Sequence, residues 1–260
     1  MKALAAGRRS RFAPAVLVLL ALILTGALYA AFAPEPASAA GGDSAEDVEA
    51  GEALFEANCA TCHGVNAEGT DIGPSLIGVG AASVHFQMAT GRMPMANNST
   101  QAEERTPQFN PEQIAQVAAY VHSLAPGPAI PSAETVDPAG GDPANGLALF
   151  RTNCAMCHNA VGAGGALSEG KYAPGLFDST PTEIYEAMLT GPQSMPVFNE
   201  ANLTPEDKQD VIAYLMEQRE TSPGGITLGS LGPVVEGMWA WIVGIGGLII
   251  AAVWIGAKSS

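Results

Sequence analysis

Four cysteines occur in this 260-residue chain, and all four fall in two copies of one pentapeptide: Cys59-Ala60-Thr61-Cys62-His63 and Cys154-Ala155-Met156-Cys157-His158. Cys-x-x-Cys-His is the attachment signature of a c-type haem. Each thiol adds to one of the two vinyl groups on the porphyrin edge. The histidine, one helical turn beyond the first cysteine, is delivered on the same face as the proximal iron ligand. Cysteines of an exported protein also permit disulfides. A zinc ribbon needs its two Cys-x-x-Cys pairs about 15–20 residues apart, whereas Cys62 and Cys154 stand far further apart than that. Two covalently bound haem c groups, on Cys59, Cys62, His63 and on Cys154, Cys157, His158, are the reading the motifs favour.

The elements that must position these residues recur as a repeat. Gly51-Glu-Ala-Leu-Phe55-x-x-Asn58-Cys59 matches Gly146-Leu-Ala-Leu-Phe150-x-x-Asn153-Cys154. Downstream, Pro74-Ser75-Leu76 matches Pro174-Gly175-Leu176, and Phe109-Asn110 matches Phe198-Asn199. Thr90-Gly91 before Met93-Pro94 matches Thr190-Gly191 before Met195-Pro196, and Tyr120 matches Tyr214. Landmarks in the same order mean two copies of one small domain. Each copy reads as three helices joined by long loops. The first spans about 48–61 and 143–156, the second about 80–90 and 181–190, and the third opens at Asn110-Pro111 and Thr204-Pro205. Cap residues followed by proline mark these starts, and Thr180, Pro181 and Glu183 do so for the second helix of copy two. The Gly-rich stretch 162–165 reads as a close approach of backbone to a haem edge. A domain of about 80 residues has a thin apolar core, so haem attachment and folding should be coupled.

Distal iron ligands should come from the loop before the last helix, and Met93 and Met195 occupy equivalent places there. A His/Met iron is six-coordinate with a raised potential; it passes electrons and leaves no open position for a substrate. Met95 competes with Met93. His85 and His122 lack histidine counterparts and read as packing or surface residues, with His85 as distal ligand the alternative. Tyr120 and Tyr214 read as packing on the haem-bearing helix. Arg92 as a partner for a haem propionate is weakened by Pro192 in copy two.

Two stretches point to a membrane. Residues 12–33 are apolar apart from Thr25 and follow Arg8, Arg9 and Arg11. They suit either a signal peptide cleaved near Ala37-Ser38-Ala39 or, slightly favoured, a retained anchor. Gly237 to Ala257 carries no charge, has Trp239, Trp241 and Trp254 towards its edges and is followed by Lys258, as a membrane span does. The positive-inside rule places both termini in the cytoplasm and residues 40–230 outside it, provided the first segment is retained. Four of the eleven basic residues lie in the first eleven positions and Lys258 at the other end, leaving six against all 26 acidic ones between. That balance excludes nucleic acid as a partner and suits steering towards a basic protein surface.

The expected fold class is therefore all-α, with two tandem class I cytochrome c domains, an N-terminal hydrophobic segment and a C-terminal transmembrane helix. The domain plan is 1–39 hydrophobic segment, 44–125 domain one, 126–143 Pro-rich linker, 144–222 domain two, 223–234 linker and 235–257 membrane helix. The chain also resembles the dihaem cytochrome cc subunit of the actinobacterial-type menaquinol–cytochrome c reductase, the cytochrome bcc complex. The resemblance rests on the repeat, the Pro74–Gly80 run, Thr90-Gly-Arg-Met-Pro94, Gly191-Pro-Gln-Ser-Met-Pro196 and the single C-terminal span, and covers nearly the whole chain. It implies a redox subunit of a proton-translocating quinol–cytochrome c oxidoreductase in the cell membrane, standing in for cytochrome c1 and a soluble cytochrome c. Its implied partners are a cytochrome b subunit, a Rieske iron–sulfur subunit that reduces the first haem, and an aa3-type oxidase that accepts from the second. A free-standing membrane-anchored carrier and a dihaem peroxidase are the competing readings; the two Met-Pro loops argue against the latter.

Overall fold

In a computed structural model, residues 13–32, 44–97, 99–220 and 233–258 are described. The expected cleavage site at 37–39, the arginines ahead of residue 12 and most of the second linker lie outside them. The first segment forms one helix, α1 (Ala13–Phe32). At about 1.5 Å per residue, its 20 residues match the hydrocarbon thickness of a bilayer, about 30 Å.

Copy one consists of α2 (Ala45–Asn58), a single turn α3 (Ala60–His63), α4 (Gly80–Ala89) and α5 (Pro111–Leu124). Copy two repeats the order as α6 (Pro143–Asn153), α7 (Ala155–His158), α8 (Pro181–Thr190) and α9 (Pro205–Glu220). The first helix of each copy, read as one continuous stretch, is interrupted at its first motif cysteine. Cys59 and Cys154 sit at φ −119° and −118° between the long helix and the motif turn. That break lets the motif turn away from the helix axis. Copy two adds a two-stranded antiparallel pair, β1 (Gly165–Ala166) with β2 (Tyr172–Ala173), that the sequence pattern had not announced.

Local chemistry explains where the helices begin. Asn110 and Thr180 each accept from the backbone N–H three residues on, while Gln113 and Glu183 bond back to them, closing capping boxes. Thr204 and Asp207 exchange the same pair of bonds at the start of α9.

In each copy the first and last helices cross closely, α2 on α5 and α6 on α9. The crossing is possible because of a glycine. A Cβ at Gly51 would lie 2.0 Å from the Gln116 carbonyl oxygen, and one at Gly146 would lie 1.9 Å from that of Asp210. One turn on, Phe55 meets Tyr120 with ring centroids 5.3 Å apart, and Phe150 meets Tyr214 at 5.5 Å. Aromatic pairs at such spacing are worth about 0.5–1.5 kcal/mol beyond their burial. The recurring Gly-x-x-x-Phe and Tyr landmarks are thus the two sides of one helix crossing, made twice.

The Pro-rich stretch between the copies is packed at both ends. The Pro128 carbonyl accepts from the Ala82 N–H, and Ile130 lies against the first core. Val136 is buried in the second core, and Gln209 donates to the carbonyls of Glu134 and Asp137. The copies also touch directly through α4 and α8.

The last helix, α10 (Pro233–Lys258), contains the uncharged stretch Gly237–Ala257, which is long and apolar enough to cross a membrane. Its described side chains are largely exposed, Trp241 by 70% and Leu248 by 71%, as lipid contact requires.

Candidate haem sites

A cavity of about 360 Å³ opens in copy two, within the usual range for a buried cofactor. Cys154, Cys157, His158 and Met195 all line it, with Leu176, Ile184, Met188, Phe198, Val211 and Leu215 among its apolar walls. The helix that carries the motif, the loop that carries Met195 and the last helix therefore converge on one space. His158 is 9% exposed, and burial lowers its pKa against the pull of a backbone carbonyl. A neutral imidazole is the form that binds a metal.

That carbonyl belongs to Pro174. It accepts from Nδ1 of His158 at 3.0 Å, and the Pro74 carbonyl accepts from Nδ1 of His63 at 2.8 Å. The bond fixes the tautomer and leaves Nε2 free to ligate. Sequence reasoning aligned Pro74-Ser75-Leu76 with Pro174-Gly175-Leu176 but gave the prolines no role; their recurrence after each motif, 11 residues past His63 and 16 past His158, was the signal. Arg219, at the end of α9, donates to the carbonyls of Leu176 and Ser179 and so ties down the same loop.

The glycines of 162–165 also answer a need of the backbone itself. Gly162 and Gly164 adopt φ of +76° and +84°, and a Cβ at Gly164 would lie 2.6 Å from the Ala173 carbonyl oxygen. The close approach is backbone to backbone, around the β1–β2 pair.

None of the four cysteines is paired in a disulfide. Burial, and secondarily the neighbouring cysteine, push the Cys59 and Cys154 thiols up to about 11. Among the described residues no group of three or more His, Cys, Asp or Glu side chains is placed to hold a metal ion, so the zinc reading has no geometry behind it. The cysteine pairs, the freed imidazole nitrogens and the apolar cavity fit a covalently held haem.

In copy one, Met93 is half-buried and its N–H donates to the Gln87 carbonyl, whereas Met95 is 39% exposed. The Met93–Pro94 peptide is cis. His85 turns to the other copy. Its Nδ1 meets Oε2 of Glu186 at 2.8 Å across the contact between the copies. Glu186 is fully buried; the sequence showed it only as a residue near the repeat position of His85, aligned with Phe86, and assigned it no role. Tyr214 also donates to the Ala160 carbonyl beyond the second motif.

Two helical domains in tandem, each closing a crossing of first and last helix over its Cys-x-x-Cys-His turn, define a protein of the cytochrome c class with two haem-attachment motifs. Residues 48–125 match the family described as cytochrome c, and residues 141–215 the family described as cytochrome C oxidase, cbb3-type, subunit III. The cytochrome bc1 complex cytochrome c subunit of Corynebacterium diphtheriae is 45% identical over 99% of this chain and 99% of its own length. The proteins of that name from Mycobacterium bovis (45%, 96% of this chain and 92% of its own) and Mycobacterium leprae (44%, 94% and 87%) agree. The chain belongs to this family of cytochrome bc1 complex cytochrome c subunits.

Proposed function

We propose that this chain takes electrons from a Rieske iron–sulfur protein into its first domain and delivers them from its second to an aa3-type oxidase. Its membrane partner is a cytochrome b subunit, and the haem domains lie on the extracytoplasmic side. Residues 44–125 and 144–222 are the two folding units. His63 with Met93 and His158 with Met195 are the axial pairs; the cysteines hold the porphyrins by thioethers. When bound, the haem supplies reversible one-electron chemistry.

The residues do the rest. The Pro74 and Pro174 carbonyls orient the imidazoles and raise their basicity. The apolar walls exclude water and so favour the less charged, reduced state. The observation that carries the reading is that Met195 lines the same cavity as His158, Cys154 and Cys157. Exposed apolar residues beside the motifs, Val65, Ile72 and Ile77 after His63 and Met156, Tyr172 and Val197 around the second cavity, suit docking of protein partners at both ends.

The test is gentle detergent purification from native membranes through a C-terminal tag, with haem staining, reduced-minus-oxidised spectra and identification of co-purifying subunits. Two low-spin haems with a cytochrome b and a Rieske protein are expected. Recovery of the chain alone would favour a free-standing carrier, and a high-spin haem that turns over peroxide would remove the His/Met assignment.

A further inference from the structure

Arg92 lies in copy one, three residues past the end of α4, yet it lines the cavity of copy two together with Phe86, Thr90 and Gln101. The first domain therefore forms part of the wall of the second domain's site. Arg92 is 8% exposed. Its guanidinium sits 5.1 Å above the Phe86 ring, and Nη2 reaches Oε2 of Glu104 at 3.3 Å. That pair is loose and one-sided, since the Glu104 side chain is 48% exposed. The other terminal nitrogen, Nη1, is buried with no hydrogen-bond partner.

A guanidinium carries five N–H donors and stays charged. Burying it with an unpaired nitrogen is costly unless an anion completes the pairing. Glu183 also lines the cavity, but its carboxylate is turned to the Thr180 N–H in the capping box. The group expected in this cavity brings its own anions, because a haem ends in two propionate carboxylates, and a guanidinium pairs with carboxylates in a two-pronged fork.

We propose, on the haem reading given above, that Arg92 of the first domain holds a propionate of the second domain's haem. Copy two has Pro192 at the corresponding place, so the service is not returned. The fixed positive charge offsets the propionate's negative charge and favours the reduced state of the second site over that of the first. That biases the electron towards the second domain.

The test is a spectroelectrochemical titration of the full, haem-loaded chain, the second haem being assigned by the shift that Met195→His imposes. Arg92→Gln should lower the second potential by about tenfold in the reduction equilibrium, ~59 mV, and move the first by less. It should also make the second potential pH-dependent as the released propionate titrates, while Arg92→Lys restores most of the loss. Glu104→Gln, at a half-exposed position that the fold tolerates, should move the second potential the opposite way. A shift confined to the first haem, or unchanged potentials in both the Arg92→Gln and Glu104→Gln chains, overturns the proposal. Haem count and spin state of the unsubstituted chain report separately on the His/Met reading.

Discussion

His85 and Glu186, 101 positions apart in sequence, meet at 2.8 Å where α4 packs on α8. Burial works against the charged form of His85, but the hydrogen bond and charge of Glu186, with Glu183 behind it, together hold its pKa above the ordinary value. Burial likewise holds the Glu186 carboxyl high, against the opposing pull of His85. The two behave as one coupled group.

Both shifts have the same sign, so the folded chain binds protons more tightly than the unfolded one. The stabilisation is fully present below the unfolded pKa values and is lost as pH rises through the folded ones. The unfolding temperature of the haem-loaded chain should fall as pH rises through and above the ordinary histidine range. Glu186→Gln should flatten that dependence. An equal slope in both chains would show that the pair carries none of it.

Gly51→Ala and Gly146→Ala each place a methyl group against a carbonyl that belongs to the facing helix. Overpacking of this kind costs about 1–3 kcal/mol, and the rigid backbone on the other side puts these two at the upper end. Denaturant unfolding should show the loss, with the haem spectrum of the substituted copy failing first.

Replacing Met195 with Leu should convert the second haem to a high-spin form and lower its potential by at least tenfold, ~59 mV. Met93→Leu should do the same to the first haem, and Met95→Leu should leave its spectrum intact. If Met95→Leu alone produces the high-spin signal, the ligand assignment in copy one moves to Met95.

Cys59→Ser with Cys62→Ser should leave copy one unfolded, because its core without a bound group is thin. Limited proteolysis reads this directly. A protease-resistant first copy lacking haem would separate folding from attachment.

Much of this architecture was legible because the chain states it twice. Two aligned motifs exposed the repeat, and proline after a capping residue marked the starts of α5, α8 and α9. What escaped was made by backbone or by one copy only. The Pro74 and Pro174 carbonyls leave no mark in side-chain chemistry, and the β1–β2 pair rests on glycine conformations that composition does not reveal. Glu186 and Arg92 were in view but undervalued, for a different reason. Each departs from its repeat counterpart, Phe86 and Pro192, so comparing the copies discounted them. Both serve the contact between the copies, where the two halves must differ.

The stretch from 126 to 143 is fastened at one end by Pro128 against α4 and at the other by Val136 within the second core. Its consequence is kinetic. A diffusing carrier meets its partner at a rate set by concentration and ionic strength, whereas two sites fastened to each other exchange at a first-order rate that dilution does not change. The tandem thus turns what would be a collision into a property of the molecule, and salt should slow its exchange with other proteins while leaving the internal step untouched.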